Sequence, residues 1–67
     1  MKVSYKKLWK LLIDKDMAQS ELHKQSGISA GSMTKMRKGE PVSMEVLWKV
    51  CSCLKCDVGD VVSFYCE

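Results

Sequence analysis

Gly27 and Gly39 each close a short stretch of helical spacing, and together they leave this chain few folds to choose from. The first stretch runs from about Gln19 to Ser26, with Leu22 as its inward anchor and Met17 placed to staple its start. The second runs from Ala30 to Lys38, with Ser29 as a natural N-cap. A glycine after each run supplies the residue that most readily turns left-handed, so both helices stop where the pattern stops. Ile28, between them, reads as a buried plug in a tight turn.

The flanking segments supply the rest of an all-α fold. Tyr5, Leu8, Trp9 and Leu12 fall on one helical face, with Lys6, Lys7, Lys10 and Asp14 opposite. Ser4 can cap that helix, which is predicted over about residues 4–15. Ser43 caps another, with Glu45 in its first turn and Val46, Leu47, Val50, Cys51 and Leu54 as its core stripe, ending near Lys55. Trp48 and Met44 widen its apolar arc beyond what one core face requires. Val58 to Ser63 reads as a helical turn, and the tail from Phe64 to Cys66 permits a strand. Four or five short helices in 67 residues make one domain spanning 1–67, near the lower size limit for a domain. An apolar fraction of 46% and a charged fraction of 28% suit a globular chain and exclude disorder. No apolar run approaches the ~18 residues of a membrane span, and no secretory signal is visible. A cytoplasmic protein without a membrane partner is expected.

Charge adds a direction. Five lysines face only Asp14 over residues 1–15, and Lys24, Lys35, Arg37 and Lys38 face only Glu21 over residues 19–38. From Gly39 onward the sign reverses, with Glu40, Glu45, Asp57, Asp60 and Glu67 against Lys49 and Lys55. A basic front and an acidic rear suit a molecule that turns one side to a polyanion. Two short helices on a glycine turn have the shape of a helix-turn-helix, whose second helix enters the DNA major groove. At about 100° per residue, Met33 and Met36 share the packing face of residues 30–38, with Arg37 at its edge. Gly31, Thr34, Lys35 and Lys38 lie opposite, with Ser32 on the flank. Small residues let a backbone approach, hydroxyls and lysines reach phosphates or base edges, and no carboxylate repels DNA.

The stretches Met17-Ala-Gln-Ser-Glu-Leu22, Ser26-Gly-Ile-Ser29, Met33-Thr-Lys-Met36, Lys38-Gly39 and Pro41-Val-Ser-Met-Glu-Val-Leu47 resemble the lambda-repressor-like, Cro-type (Xre family) helix-turn-helix regulators of bacteria, phages and mobile elements. Leu54 to Val62 looks like that family's fourth helix running into a short fifth, and Tyr5 to Leu12 resembles a compact single-domain subgroup. The resemblance implies a transcriptional regulator of double-stranded DNA. It implies that Gln19 meets a phosphate, and that Ser29, Gly31, Ser32, Thr34, Lys35 and Lys38 match or flank the groove-facing positions. Two residues depart from the pattern. His23 stands where alanine usually packs, which bears on interhelical spacing. Ala18 stands where a capping hydroxyl is usual, a loss of about 1 kcal/mol.

Other chemistries fit less well. Cys51 and Cys53 point about 200° apart on a helix, and Cys53 with Cys56 lacks two further ligands, so no metal or other cofactor is expected from these cysteines, Cys66 and His23. No phosphate loop, zinc-protease helix or nucleophile elbow occurs, and the chain is too small for a deep pocket, so neither an enzyme nor a small-molecule site is expected. The rival reading is a protein-interaction module of antitoxin or anti-repressor type, using Trp48, Met44 and the tail from Val61 to Tyr65. The excess apolar arc of Trp48 with the Phe64-Tyr65 tail is the candidate interface of a homodimer reading two half-sites.

Overall fold

The computed structural model describes residues 2–65. A strand, β1 (Lys2–Ser4), leads into α1 (Lys6–Asp14), α2 (Gln19–Ser26), α3 (Ala30–Lys38) and α4 (Met44–Leu54). A 3₁₀ turn over Val58–Asp60 and a second strand, β2 (Ser63–Tyr65), complete the order. The architecture is the expected small helical domain, with one addition.

That addition is a two-stranded antiparallel ribbon in which Lys2 pairs with Tyr65, Val3 with Phe64 and Ser4 with Ser63. The first helix therefore starts two residues later than its periodicity suggested. Val3 alternates inward from β1 and is buried, and Tyr5 behind it donates its phenol to the Glu40 carbonyl at 2.7 Å. Those two anchors hold the backbone extended. Ser4 is thus a strand residue rather than the cap, and its Oγ accepts only a long 3.4 Å contact from the Lys6 N–H.

The helix starts are built by different means. Ser29 Oγ accepts from the Ser32 N–H at 3.2 Å, and Ser43 Oγ from the Val46 N–H at 3.3 Å. Ala18 has no such oxygen. Instead the Glu21 carboxylate reaches back to the Ala18 N–H at 3.2 Å, half of a capping box, which satisfies one orphan donor. Three of the four α-helices end left-handed, α1 being the exception with Lys15 at φ −91°: Gly27 at φ 76° and Gly39 at φ 74° close α2 and α3, as their residue type allows. Lys55 at φ 55° closes α4 without a glycine, and the Cys56 N–H bonds the Cys51 carbonyl at 3.1 Å to seal it.

All these elements cover one core. Leu8, Leu22, Met33, Met36, Val50 and Val61 are its fully buried side chains, with Tyr5, Leu12, Ile28, Leu47 and Leu54 around them. Of the expected α4 stripe, Leu47, Val50 and Leu54 are buried, while Val46 and Cys51 are half-buried at its margin. Among the described residues no helix is long and apolar enough to cross a membrane.

Candidate nucleic-acid interface

Helices α2 and α3 meet through Gly27, Ile28 and Ser29. Leu22 and Ile28 are buried beneath them, and Met33 and Met36, each 1% exposed, fix which side of α3 faces in. That orientation leaves Gly31, Thr34, Lys35 and Lys38 exposed on one side, with Ser29 exposed and Ser32 half-buried at the leading end. The face carries no acidic side chain, and three cations, Lys35, Arg37 and Lys38, occupy its last turn.

The hydroxyls on this face are partly committed. Ser29 and Ser32 share a hydrogen bond at 3.1 Å between their Oγ atoms, which uses one of two hydroxyl protons and leaves the other to donate outward. Thr34 donates to the Ala30 carbonyl one turn back at 3.0 Å, so toward solvent it presents lone pairs and a methyl group rather than a donor. Gly31 needs no unusual backbone. A Cβ there meets only Ser29 Oγ, at an ordinary 3.8 Å, so nothing inside the protein demands glycine.

Gln19 stands half-buried at the start of α2, and its partner is a residue that sequence reasoning set at the edge of the packing face. Arg37 Nε donates to Gln19 Oε1 at 2.7 Å. A guanidinium can only donate, so the atom facing it must be the amide oxygen. The Gln19 NH₂ group is thereby left to donate to another partner at the start of α2. The link spans eighteen residues of sequence, and no local pattern announces it. His23 is half-buried on α2.

Behind α3, Tyr5 pins the loop that leaves Gly39. Burial raises the Tyr5 phenol above its ordinary value, against a smaller lowering by a backbone hydrogen bond at Val42. The cysteines cluster elsewhere. Burial pushes the Cys51 thiol up to about 11, with Cys56 beside it adding to the shift, and burial raises Cys56 also. Cys53 Sγ makes a 3.9 Å contact to Gln25 Oε1. Among the described residues no three His, Cys, Asp or Glu side chains converge as metal ligands. Cys66 lies outside the described residues.

A polar, acid-free helix projecting from a glycine-turned pair defines a helix-turn-helix protein. The chain belongs to the Cro/C1-type HTH DNA-binding domain family, whose sequence profile matches residues 7–67. Among solved structures, the crystal structure of transcriptional regulator VanUg (Form II) is similar at 47% identity and a TM-score of 0.94, covering 98% of this chain and 88% of that one. No curated protein matches the sequence.

Proposed function

We propose that this chain is a sequence-specific regulator of transcription, of the bacterial, phage or mobile-element kind, that docks α3 in the major groove of double-stranded DNA. The observation that carries this reading is the exposed face of α3, where Gly31, Thr34, Lys35 and Lys38 project without a carboxylate. Gln19, held by Arg37, offers its amide protons to a phosphate beside that groove. Ser29 and Ser32 offer one hydroxyl proton where the helix enters. The role is binding without catalysis or cofactor, in the cytoplasm where such DNA lies. Selection of bound fragments from genomic DNA, then footprinting of the winner, tests it. A single protected site whose affinity falls steeply with salt supports the reading. Binding indifferent to sequence counts against it.

A homodimer belongs to the same reading, since one small module covers only a half-site and two spaced by about 10 base pairs supply specificity. Its candidate contact surface is the apolar side of α4 and β2, where Met44 is 73%, Trp48 68% and Phe64 76% exposed. Val61 is not part of that surface, because it lies wholly inside the core. Trp48→Ala should leave the melting temperature of the monomer unchanged and weaken association by about 2 kcal/mol, as loss of a central aromatic does. Sedimentation of the parent as a monomer, free and on DNA, removes the dimer. If the same surface binds a different protein instead, that complex should withstand salt concentrations at which DNA is released.

A further inference from the structure

Between the C-terminal end of α3 and the junction of β1 with α1 lies an open groove of about 540 Å³. Lys6, Trp9, Arg37 and Lys38 line it, together with Ser4 and Tyr65. No carboxylate is among its lining residues. We propose that this groove is a second clamp for the DNA backbone, holding a phosphate beyond those met by Gln19 and the outward face of α3. The inference rests on the DNA reading above and extends its footprint.

Arg37 connects the two places. Its Nε is bound to Gln19 Oε1, while the same side chain forms one wall of the groove. The bond to Gln19 uses one of five guanidinium donors and leaves the other N–H groups for an anion on the groove side. Arg37 therefore touches both the start of α2 and the groove that Lys38 and Lys6 also line. Cationic side chains beside hydroxyl-bearing residues are the chemistry that binds phosphate and sugar without reading bases.

Lys6 gives the second argument. It is the first residue of α1, a helix with no acid in its first turn, where a cation opposes the helix dipole. Its neighbour Lys7 has a structural use, donating from Nζ to the Gly59 carbonyl at 3.3 Å. Lys6 has no comparable side-chain partner among the described residues and projects at the groove instead. A cation kept at an unfavourable helix position, unpaired and beside two other cations, fits an anion supplied from outside. The groove is also held in shape. Tyr5 ties the chain at its floor to the Glu40 carbonyl at 2.7 Å.

The test uses the full chain and the duplex recovered by selection. Lys6→Gln should keep or slightly raise the melting temperature, lower affinity about three- to tenfold for every sequence alike, and make the log–log salt slope shallower by about 0.9, one phosphate's worth. Trimming the duplex base pair by base pair from each end should weaken the parent at one flank and leave Lys6→Gln indifferent to the same cut. Lys49→Gln, the same charge change on α4, should bind as the parent does; an equal loss there overturns the clamp in favour of a general charge effect. If Lys6→Gln binds with unchanged affinity and slope while Lys35→Ala fails, the clamp is wrong and the DNA reading stands. If both bind as the parent does, the DNA reading fails first. Calorimetry with inorganic phosphate covers the other source of the same chemistry: saturable binding lost in Lys6→Gln, with DNA affinity untouched, overturns the clamp in favour of a free anion.

Discussion

Helices α3 and α4 are made by the same device and end in opposite surfaces. Each starts on a serine whose Oγ takes the N–H three residues on, at 3.2 Å in α3 and 3.3 Å in α4. Each buries a stripe at helical spacing, Met33 and Met36 in one, Leu47, Val50 and Leu54 in the other. Outside, α3 shows glycine, threonine and lysines, whereas α4 shows Met44 and Trp48. The inward faces are interchangeable in kind and carry the fold. The outward faces are not, and no demand of packing explains either. Surface chemistry that folding does not require is where function is to be sought.

The comparison breaks most visibly if an inward residue of α3 behaves like an outward one. Met33 is 1% exposed at the junction of the two motif helices, so Met33→Ala should cost about 2–5 kcal/mol of stability, most of what a domain this small has. Thermal melts should show the loss, and DNA binding should fall only as the unfolded fraction rises. A normal melt would mean that α3 is turned the other way round.

Next in size are the outward residues themselves. Lys35→Ala should leave folding within about ±0.5 kcal/mol and reduce DNA affinity by about 1–3 kcal/mol. If Lys35 reads a guanine edge, the loss falls on one operator position; if it meets phosphate, it is uniform and the salt slope flattens. Thr34→Ala sharpens the picture, because its hydroxyl proton already serves the Ala30 carbonyl. What it loses toward DNA is a methyl contact or an acceptor. Its effect should therefore be smaller than that of Lys35 and indifferent to salt, as titrations at two ionic strengths will read.

The inner margin of α4 carries a pH signature. Burial raises the Cys51 thiol from 9.0 to about 11. The protonated thiol is favoured in the folded chain, so its contribution is fully present below pH 9 and is lost as pH rises through about 11. Tyr5, also raised above its ordinary value by burial, acts with the same sign. Melts between pH 8 and about 11 should show the parent declining and Cys51→Ser declining less. Equal slopes would mean that the thiol is as well solvated folded as unfolded.

How much of this was legible depended on whether the signal was local. The α2 and α3 bounds could be read because each ends in a glycine that the structure holds at positive φ. The close of α4 at left-handed Lys55 has no glycine to mark it, and only the failing of the apolar stripe placed it. The start of α1 was misplaced because the ribbon that displaces it pairs Val3 with Phe64, a contact between chain ends that periodicity cannot see. Which residues of α3 point outward followed from the spacing of Met33 and Met36. The partnership of Arg37 with Gln19 did not, since it depends on how α2 and α3 are packed and not on either helix alone.

The smallest effect separates folding from function within one residue. Gly31 has an ordinary helical backbone, and the nearest atom to an added Cβ is Ser29 Oγ at 3.8 Å, an unstrained contact. Gly31→Ala should therefore stabilise the domain by about 0.4–1 kcal/mol, because alanine has less freedom to lose when the helix forms. If glycine stands there only by accident, the variant melts higher and binds DNA as before. If it stands there so that DNA can approach the α3 backbone, the added methyl meets the duplex, and affinity falls while stability rises. A gain in melting temperature with a loss in affinity cannot come from damage to the fold, so melts and DNA titrations on this variant decide whether the missing side chain of α3 serves the protein's interior or its ligand.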